Sequence, residues 1–231
     1  MPDFAFMKTE TGILVNFYCD SESTVELENG NNISIQQQTN YPETDKIVLI
    51  VNPEKDAEFG VDLRIPEWSL QNSIKVNSEE IIEIEPGTFK SIQRKWKKGD
   101  RIELTLDLRG RLVKQNDYQA ILRGPLVLAR DTRFGDGFID ETSVVQDENG
   151  FVSLVPSKNK PENIWMAFTA PLVLGTDLEG EFQKPLQINF CDFSSAGNIW
   201  EPETRYKVWL RETLNVMKTN YKAYQLIWIK N

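Results

Sequence analysis

The sequence predicts an all-β protein made of two consecutive antiparallel β-sandwich modules of jelly-roll type. Three observations carry that expectation. Apolar and polar residues alternate over short runs along most of the chain, the period of two of a half-buried strand. Turn dipeptides break those runs at Asn29-Gly30, Lys98-Gly99 and Asn149-Gly150. Helix-like spacing is confined to residues 202–218, where Tyr206, Leu210, Leu214 and Met217 recur.

Residues 25–35, VELENGNNISI, put Val25 and Leu27 before the Asn29-Gly30 turn and Ile33 and Ile35 after it. That is a hairpin, because Asn-Gly accepts the positive φ of a tight turn. Residues 62–68, DLRIPEW, read as a strand that Pro66 stops, with Trp68 closing the sandwich edge and Pro66 blunting the strand against edge pairing. The next run, SIKVNSEEIIEI, gives Ile74 and Val76, a turn at Asn77-Ser78, then Ile82 and Ile84. After it, Ile92 and Trp96 precede Lys98-Gly99-Asp100, which reverses the chain into alternating Ile102, Leu104, Leu106 and Leu108. The polar stretch 109–118 marks the boundary between modules, placed as 1–115 and 116–231. A third Asn-Gly hairpin falls at Asn149-Gly150, and Gly124 in Arg-Gly-Pro marks a bulge or close backbone contact. Residues 205–211 alternate as a strand rather than a helix. Trp68, Trp96 and Trp209 are expected in the core.

A chain of 231 residues buries about 70% of the surface its unfolded form exposes, so no metal or disulfide is needed to hold it. Its net charge of −9 disfavours general nucleic-acid or anionic-membrane binding. There is no histidine, which excludes a Ser-His-Asp or Cys-His apparatus and histidine-based zinc sites. Cys19 and Cys191 are expected as two buried thiols rather than a disulfide. No run of about 18 apolar residues occurs, and the first ten residues have no signal-peptide pattern. Localisation is therefore open: cytoplasmic, or periplasmic or extracellular had a targeting segment been removed.

Two stretches are candidates for binding. Asp131, Asp136, Asp140 and Glu141 surround Gly135 and Gly137, and several oxygen donors on a glycine-containing loop are what calcium requires. The competing reading is an ordinary acidic loop with no cofactor. Among six tryptophans, Trp200 has the most polar neighbourhood, in SAGNIWEPET, and is the candidate for contact with a carbohydrate. The acids of EEIIEIE read as a solvated strand face. No residue is assigned as catalytic.

Six stretches in order resemble one family: GILVNFY (12–18), QTNYP (38–42), LRIPEW (63–68), WKKGDRIELTL (96–106), ILRGPLVLAR (121–130) and YKVWL (206–210). Together they resemble the C-terminal β-sandwich region of glycoside hydrolase family 127, the β-L-arabinofuranosidase group. The resemblance implies an (α/α)6 catalytic barrel as partner, in the same or a neighbouring polypeptide. The family's catalytic glutamate, paired cysteines and zinc ligands belong to that barrel, and neither Cys19 nor Cys191 matches them. The implied role is a non-catalytic accessory scaffold of a hydrolase acting on arabinose-containing glycans. A stand-alone carbohydrate-binding module would instead show an exposed aromatic row with Asn, Asp or Arg nearby. A small carboxylate-dependent glycosidase would show two acids facing one pocket, about 5–9 Å apart.

Overall fold

The computed structural model describes residues 4–137, 141–158, 160–174, 185–199 and 201–212, and the chain divides into two compact units, Met1–Leu108 and Arg109–Asn231. The division falls ahead of the expected 115/116. The polar stretch 109–118 holds the first strand of the second unit, which pairs with strands that come later in the chain.

The first unit holds β1 (Phe6–Lys8), β2 (Gly12–Val15), β3 (Ser21–Glu26), β4 (Asn32–Gln38), β5 (Lys46–Pro53), β6 (Ala57–Arg64), β7 (Ser73–Val76), β8 (Glu79–Ile81), β9 (Phe89–Trp96) and β10 (Asp100–Thr105). They form two sheets, in the orders β1-β2-β6-β9 and β3-β4-β5-β10-β7-β8. Strict alternation supplies the core between them. Ile47, Leu49 and Val51 of β5 are buried, as are Ile102 and Leu104 of β10 and Phe59, Val61 and Leu63 of β6. All belong to one hydrophobic cluster. Trp96 is its largest member, fully buried, with its indole N–H donating to the Phe59 carbonyl at 2.9 Å. That bond lets a large ring enter the core without stranding a donor.

The hairpin at Asn29-Gly30 forms as the sequence predicts; the turn at Asn77-Ser78 forms too, but its return strand ends at Ile81, which pairs with Ile74, and leaves the expected Ile82 exposed. Asn77 and Ser78 both take positive φ, the geometry of a two-residue hairpin loop. The Lys98-Gly99 turn also forms, but it joins strands of different sheets: β9 pairs β6 and β10 pairs β5. Pro66 does not blunt an edge, since β6 is an inner strand between β2 and β9. Proline is tolerated there because it lies two residues beyond the strand's end. Trp68 is half-buried against the core. β2 and β6 run parallel, so the sheets are not wholly antiparallel. A Cβ on Gly12 would lie 1.9 Å from the Gly60 carbonyl oxygen, so glycine is what lets the two backbones approach.

The second unit holds β11 (Gly110–Gln115), β12 (Tyr118–Arg123), β13 (Leu126–Asp131), β14 (Glu141–Val144), β15 (Phe151–Val152), β16 (Val155–Pro156), β17 (Ala167–Leu174), β18 (Leu186–Asp192), β19 (Tyr206–Lys207) and β20 (Leu210–Glu212), with a 3-10 turn at Thr132–Phe134. Gly124-Pro125 is a two-residue hairpin loop between β12 and β13, not a bulge. Gly124 supplies its positive φ. The Asn149-Gly150 turn forms, with Gly150 also at positive φ, but its flanking strands part: β14 pairs β17 while β15 pairs β11.

Pairing runs β12-β20-β14-β17-β18-β13 and returns to β12, so the sheet of this unit closes on itself as a ring. The joint is β12. β11 lines one edge of β12 throughout; along the other, Tyr118 and Gln119 meet β20, while Leu122 and Arg123 meet β13. β20 and β14 are parallel, the second departure from an antiparallel design. Inside the ring sit Ile121, Leu128, Val144, Phe168, Leu172, Phe190 and Leu210.

Residues 205–211 are extended but broken by a bend at Val208-Trp209 into β19 and β20. Trp209 is 43% exposed, which corrects its expected place in the core. Leu210 takes the inward position, so alternation turns its neighbour outward.

Candidate functional site

Four aromatic rings of the second unit stand half-exposed around one groove of about 900 Å³: Tyr118, Phe193, Tyr206 and Trp209. Lys207 and Arg211 complete its polar lining. Strand phase explains each position. Tyr118 opens β12 and precedes buried Gln119; Arg211 lies opposite Tyr118 across the β12–β20 ladder, one residue past buried Leu210. Tyr206 is the first residue of β19, registered against Asp131 of β13. Phe193 follows β18, and its N–H donates to the Val127 carbonyl at 2.9 Å. The Phe193 and Tyr206 rings meet at 6.0 Å between centroids, tilted by 54°.

The wall of this groove rests on the acidic loop. Asp131 caps the turn Thr132–Phe134 by accepting from the Arg133 N–H, and Arg133 returns a fork: Nε to Oδ1 at 2.9 Å and Nη2 to Oδ2 at 2.7 Å. The same guanidinium donates to the Ser195 carbonyl at 2.8 Å and to Asn198 Oδ1 at 2.9 Å. Asp131 Oδ2 also accepts the Gly197 N–H at 2.9 Å. Gly197 has φ of +63°, and a Cβ there would lie 2.4 Å from the Tyr206 ring. Glycine therefore does two things at once: it turns the loop toward Asp131, and it leaves the space into which Tyr206 packs. Thr132 closes the frame, its N–H donating to the Arg205 carbonyl and its Oγ1 accepting the Arg205 N–H, both at 3.0 Å.

Burial works to raise the Asp131 carboxyl, but the hydrogen bonds from Arg133 and Gly197 outweigh it and hold the group below the ordinary aspartate value. Asp136 is also engaged by a guanidinium. Arg130 Nη2 lies 3.3 Å from its Oδ1 and also donates to the Gly137 carbonyl. Asp136 Oδ2 accepts the Asn189 N–H at 2.7 Å and its side-chain amide at 3.2 Å. Asp131 and Asp136 thus pair with different arginines, and among the described residues no group of three or more Asp, Glu, His or Cys side chains is placed to hold a metal ion. Asp140 and Trp200 lie outside the described residues, as does the side chain of Glu141, whose backbone begins β14. Cys191 is buried, which pushes its thiol up to about 12, and Cys19 is half-buried; both are free.

The groove was not singled out in the sequence. Its signal was present in Arg-Tyr-Lys-Val-Trp-Leu, where placing Leu210 inward sets Trp209 outward.

The first unit has known relatives. Residues 12–108 match the family model of the beta-L-arabinofuranosidase, GH127 middle domain. The match ends where the first unit ends, at Leu108. It contains four of the six stretches quoted above; the other two, in the second unit, lie beyond it. Three solved structures share the fold over most of the chain. One is described as a glycoside hydrolase, with a TM-score of 0.74, 24% identity and 91% of this chain covered against 37% of its own. A GH127 beta-L-arabinofuranosidase from Geobacillus stearothermophilus gives 0.72, 20%, 91% and 35%. A GH127 beta-arabinofuranosidase gives 0.65, 22%, 87% and 36%. The chain therefore spans little more than a third of the length of these structures. No curated protein matches it.

Proposed function

We propose that this chain is a non-catalytic β-sandwich region of a GH127-type glycoside hydrolase, working beside a catalytic (α/α)6 barrel in the breakdown of arabinose-containing glycans. One observation carries the reading: the middle-domain match ends at the boundary of a folded unit, and the fold likeness then continues through a second unit at about a third of the relatives' length. Chemistry agrees. With no histidine, the commonest general base near neutral pH is missing from the chain, and none of the described residues lining the aromatic groove is a carboxylate. The scaffold role would lie in covering the barrel and holding it in register.

The test is hydrolysis of an aryl β-L-arabinofuranoside by the purified chain, alone and after co-expression with a GH127 barrel. Turnover is expected only with the barrel. Turnover by the chain alone, abolished by changing one Asp or Glu to its amide, would overturn the reading. The exposed aromatic row with Arg211 beside it favours a second reading, a carbohydrate-binding module, which is compatible with the first.

A further inference from the structure

We propose that Asn149 is a site of spontaneous covalent modification, where the Gly150 nitrogen closes on the Asn149 carboxamide and leaves an isoaspartyl or aspartyl linkage. Folding protects the other Asn-Gly pair, at Asn29, from the same reaction. The proposal does not rest on the family reading.

The two sites are a matched pair. Both read Glu-Asn-Gly, at 28–30 and at 148–150, so the sequence up to the glycine is the same. Both are three-residue loops ending on a glycine of positive φ, +75° at Gly30 and +83° at Gly150. The Leu27 N–H donates to the Asn31 carbonyl at 3.0 Å, and the Asp147 N–H to the Phe151 carbonyl at 2.8 Å, so each loop is closed by the residues on either side of it. Each glycine N–H donates back, to the Leu27 or the Asp147 carbonyl, at 3.0 Å in both. All six loop residues are exposed.

The loops differ in what completes the closure. In the first, Asn29 does so itself: its Oδ1 accepts the Asn31 N–H at 3.0 Å. Asn31 is then clamped to Lys55, donating from Nδ2 to the Lys55 carbonyl at 2.8 Å and accepting the Lys55 N–H at 3.2 Å. In the second, Asp147 takes over the task. Its Oδ1 accepts the Phe151 N–H and the Asn149 N–H, both at 2.9 Å. The Asn149 carboxamide has no part in that closure, and it can rotate while the bonds that hold the loop stay in place.

The chemistry needs that rotation. Base removes the proton from the Gly150 nitrogen, which attacks Cγ of Asn149. A C–N bond forms, the Cγ–Nδ2 bond breaks, and the leaving amide takes up a proton and departs as ammonia. Water then opens the succinimide at one carbonyl to give aspartate, or at the other to give an isoaspartyl linkage in which the main chain runs through the former side chain. Water enters, ammonia leaves, and nothing is oxidised or reduced. Glycine favours the attack because no Cβ screens its nitrogen. Both glycines must release the hydrogen bond they donate, so that cost cancels between the sites. Asn29 must also give up its bond to Asn31, and Asn149 has no equivalent bond to lose.

The test is peptide mapping by mass spectrometry of the whole chain aged in mildly alkaline buffer, with isoaspartate located by electron-transfer fragmentation, and the same ageing repeated in concentrated urea. In the folded chain Asn149 should convert about fivefold faster than Asn29, the factor set by the one exposed hydrogen bond that Asn29 breaks first. In urea the ratio should fall towards unity, because the tripeptides are identical. Asn149→Gln should show no conversion at that position, since glutamine must close a larger ring, and should leave the rate at Asn29 unchanged. Equal or faster conversion of Asn29 in the folded chain, absence of conversion at Asn149, or a preference for Asn149 that persists undiminished in urea would each overturn the proposal.

Discussion

Replacing Asp131 by asparagine should destabilise the second unit by about 3 kcal/mol. The aspartate is buried, and its two oxygens accept four hydrogen bonds: two from the Arg133 fork and one each from the N–H groups of Arg133 and Gly197. An amide keeps one oxygen and turns the other position into a donor. In either position that donor faces a guanidinium N–H of Arg133 together with a backbone N–H, that of Arg133 or that of Gly197, and none of these can accept. Charge-assisted bonds contribute about 1.5–3 kcal/mol each in mutational series, and losing one partner of a buried pair costs about 3–5 kcal/mol. Arg133 retains the Ser195 carbonyl and Asn198 Oδ1, which places the expected loss near the lower end of that range. Thermal unfolding followed by near-ultraviolet circular dichroism should show the midpoint falling by roughly 10 °C. The native dichroism of the aromatic wall should weaken even below the transition, because Gly197 no longer fixes the seat of Tyr206. A variant within about 0.5 kcal/mol of the parent, with unchanged dichroism, would refute the claim that this carboxylate holds the loop. Additive behaviour of Asp131→Asn and Arg133→Gln in a double-mutant cycle would refute it too.

Further outcomes follow from the same geometry. Trp96→Ala should cost about 3–5 kcal/mol in denaturant unfolding, whereas Trp209→Ala should cost under about 1 kcal/mol, because only the first ring is enclosed. Acid should destabilise the protein in a defined window. Burial works to raise Asp100, but the Lys97 N–H and the Asn77 amide hold it below its ordinary value, as Arg133 and Gly197 hold Asp131. Groups with depressed folded values contribute stability above their unfolded value of about 3.9 and lose it as pH falls through the folded one; urea midpoints should stay level from about pH 7 to 5 and drop below about pH 4. Calcium at millimolar concentration should leave the melting temperature unchanged relative to EDTA, since a cation at Asp131 or Asp136 must displace a guanidinium.

What could be read from the sequence was whatever depends on near neighbours. Asn29-Gly30 and Asn77-Ser78 each set a hairpin because turn and strands lie within a dozen residues of one another, and alternation named the core of β4 and β10. Sheet membership was not legible. The turn at Lys98-Gly99 looks the same whether it closes a hairpin or crosses between sheets, and only the distant pairing of β9 with β6 decides. The parallel pairs are hidden for the same reason. Asp131 was noticed as an oxygen donor, yet its role depends on Gly197, 66 residues further on, whose backbone N–H leaves no trace in composition. Trp209 was misplaced by weighing ring size above the phase of its strand.

The closure of the second unit at β12 has a consequence for biosynthesis. Tyr118 emerges from the ribosome long before its partner Arg211, and at about 5–20 residues per second the wait is roughly 5–20 s. Until β20 arrives, the first half of that edge of β12 and the facing edge of β14 both lie open. Nascent chains at this stage offer two unpaired strand edges to their neighbours on the same messenger, a hazard of cross-chain pairing that grows with ribosome density. A premature stop just upstream of Leu210 would make the hazard permanent, so such a truncated product should accumulate as aggregate rather than as a soluble fragment.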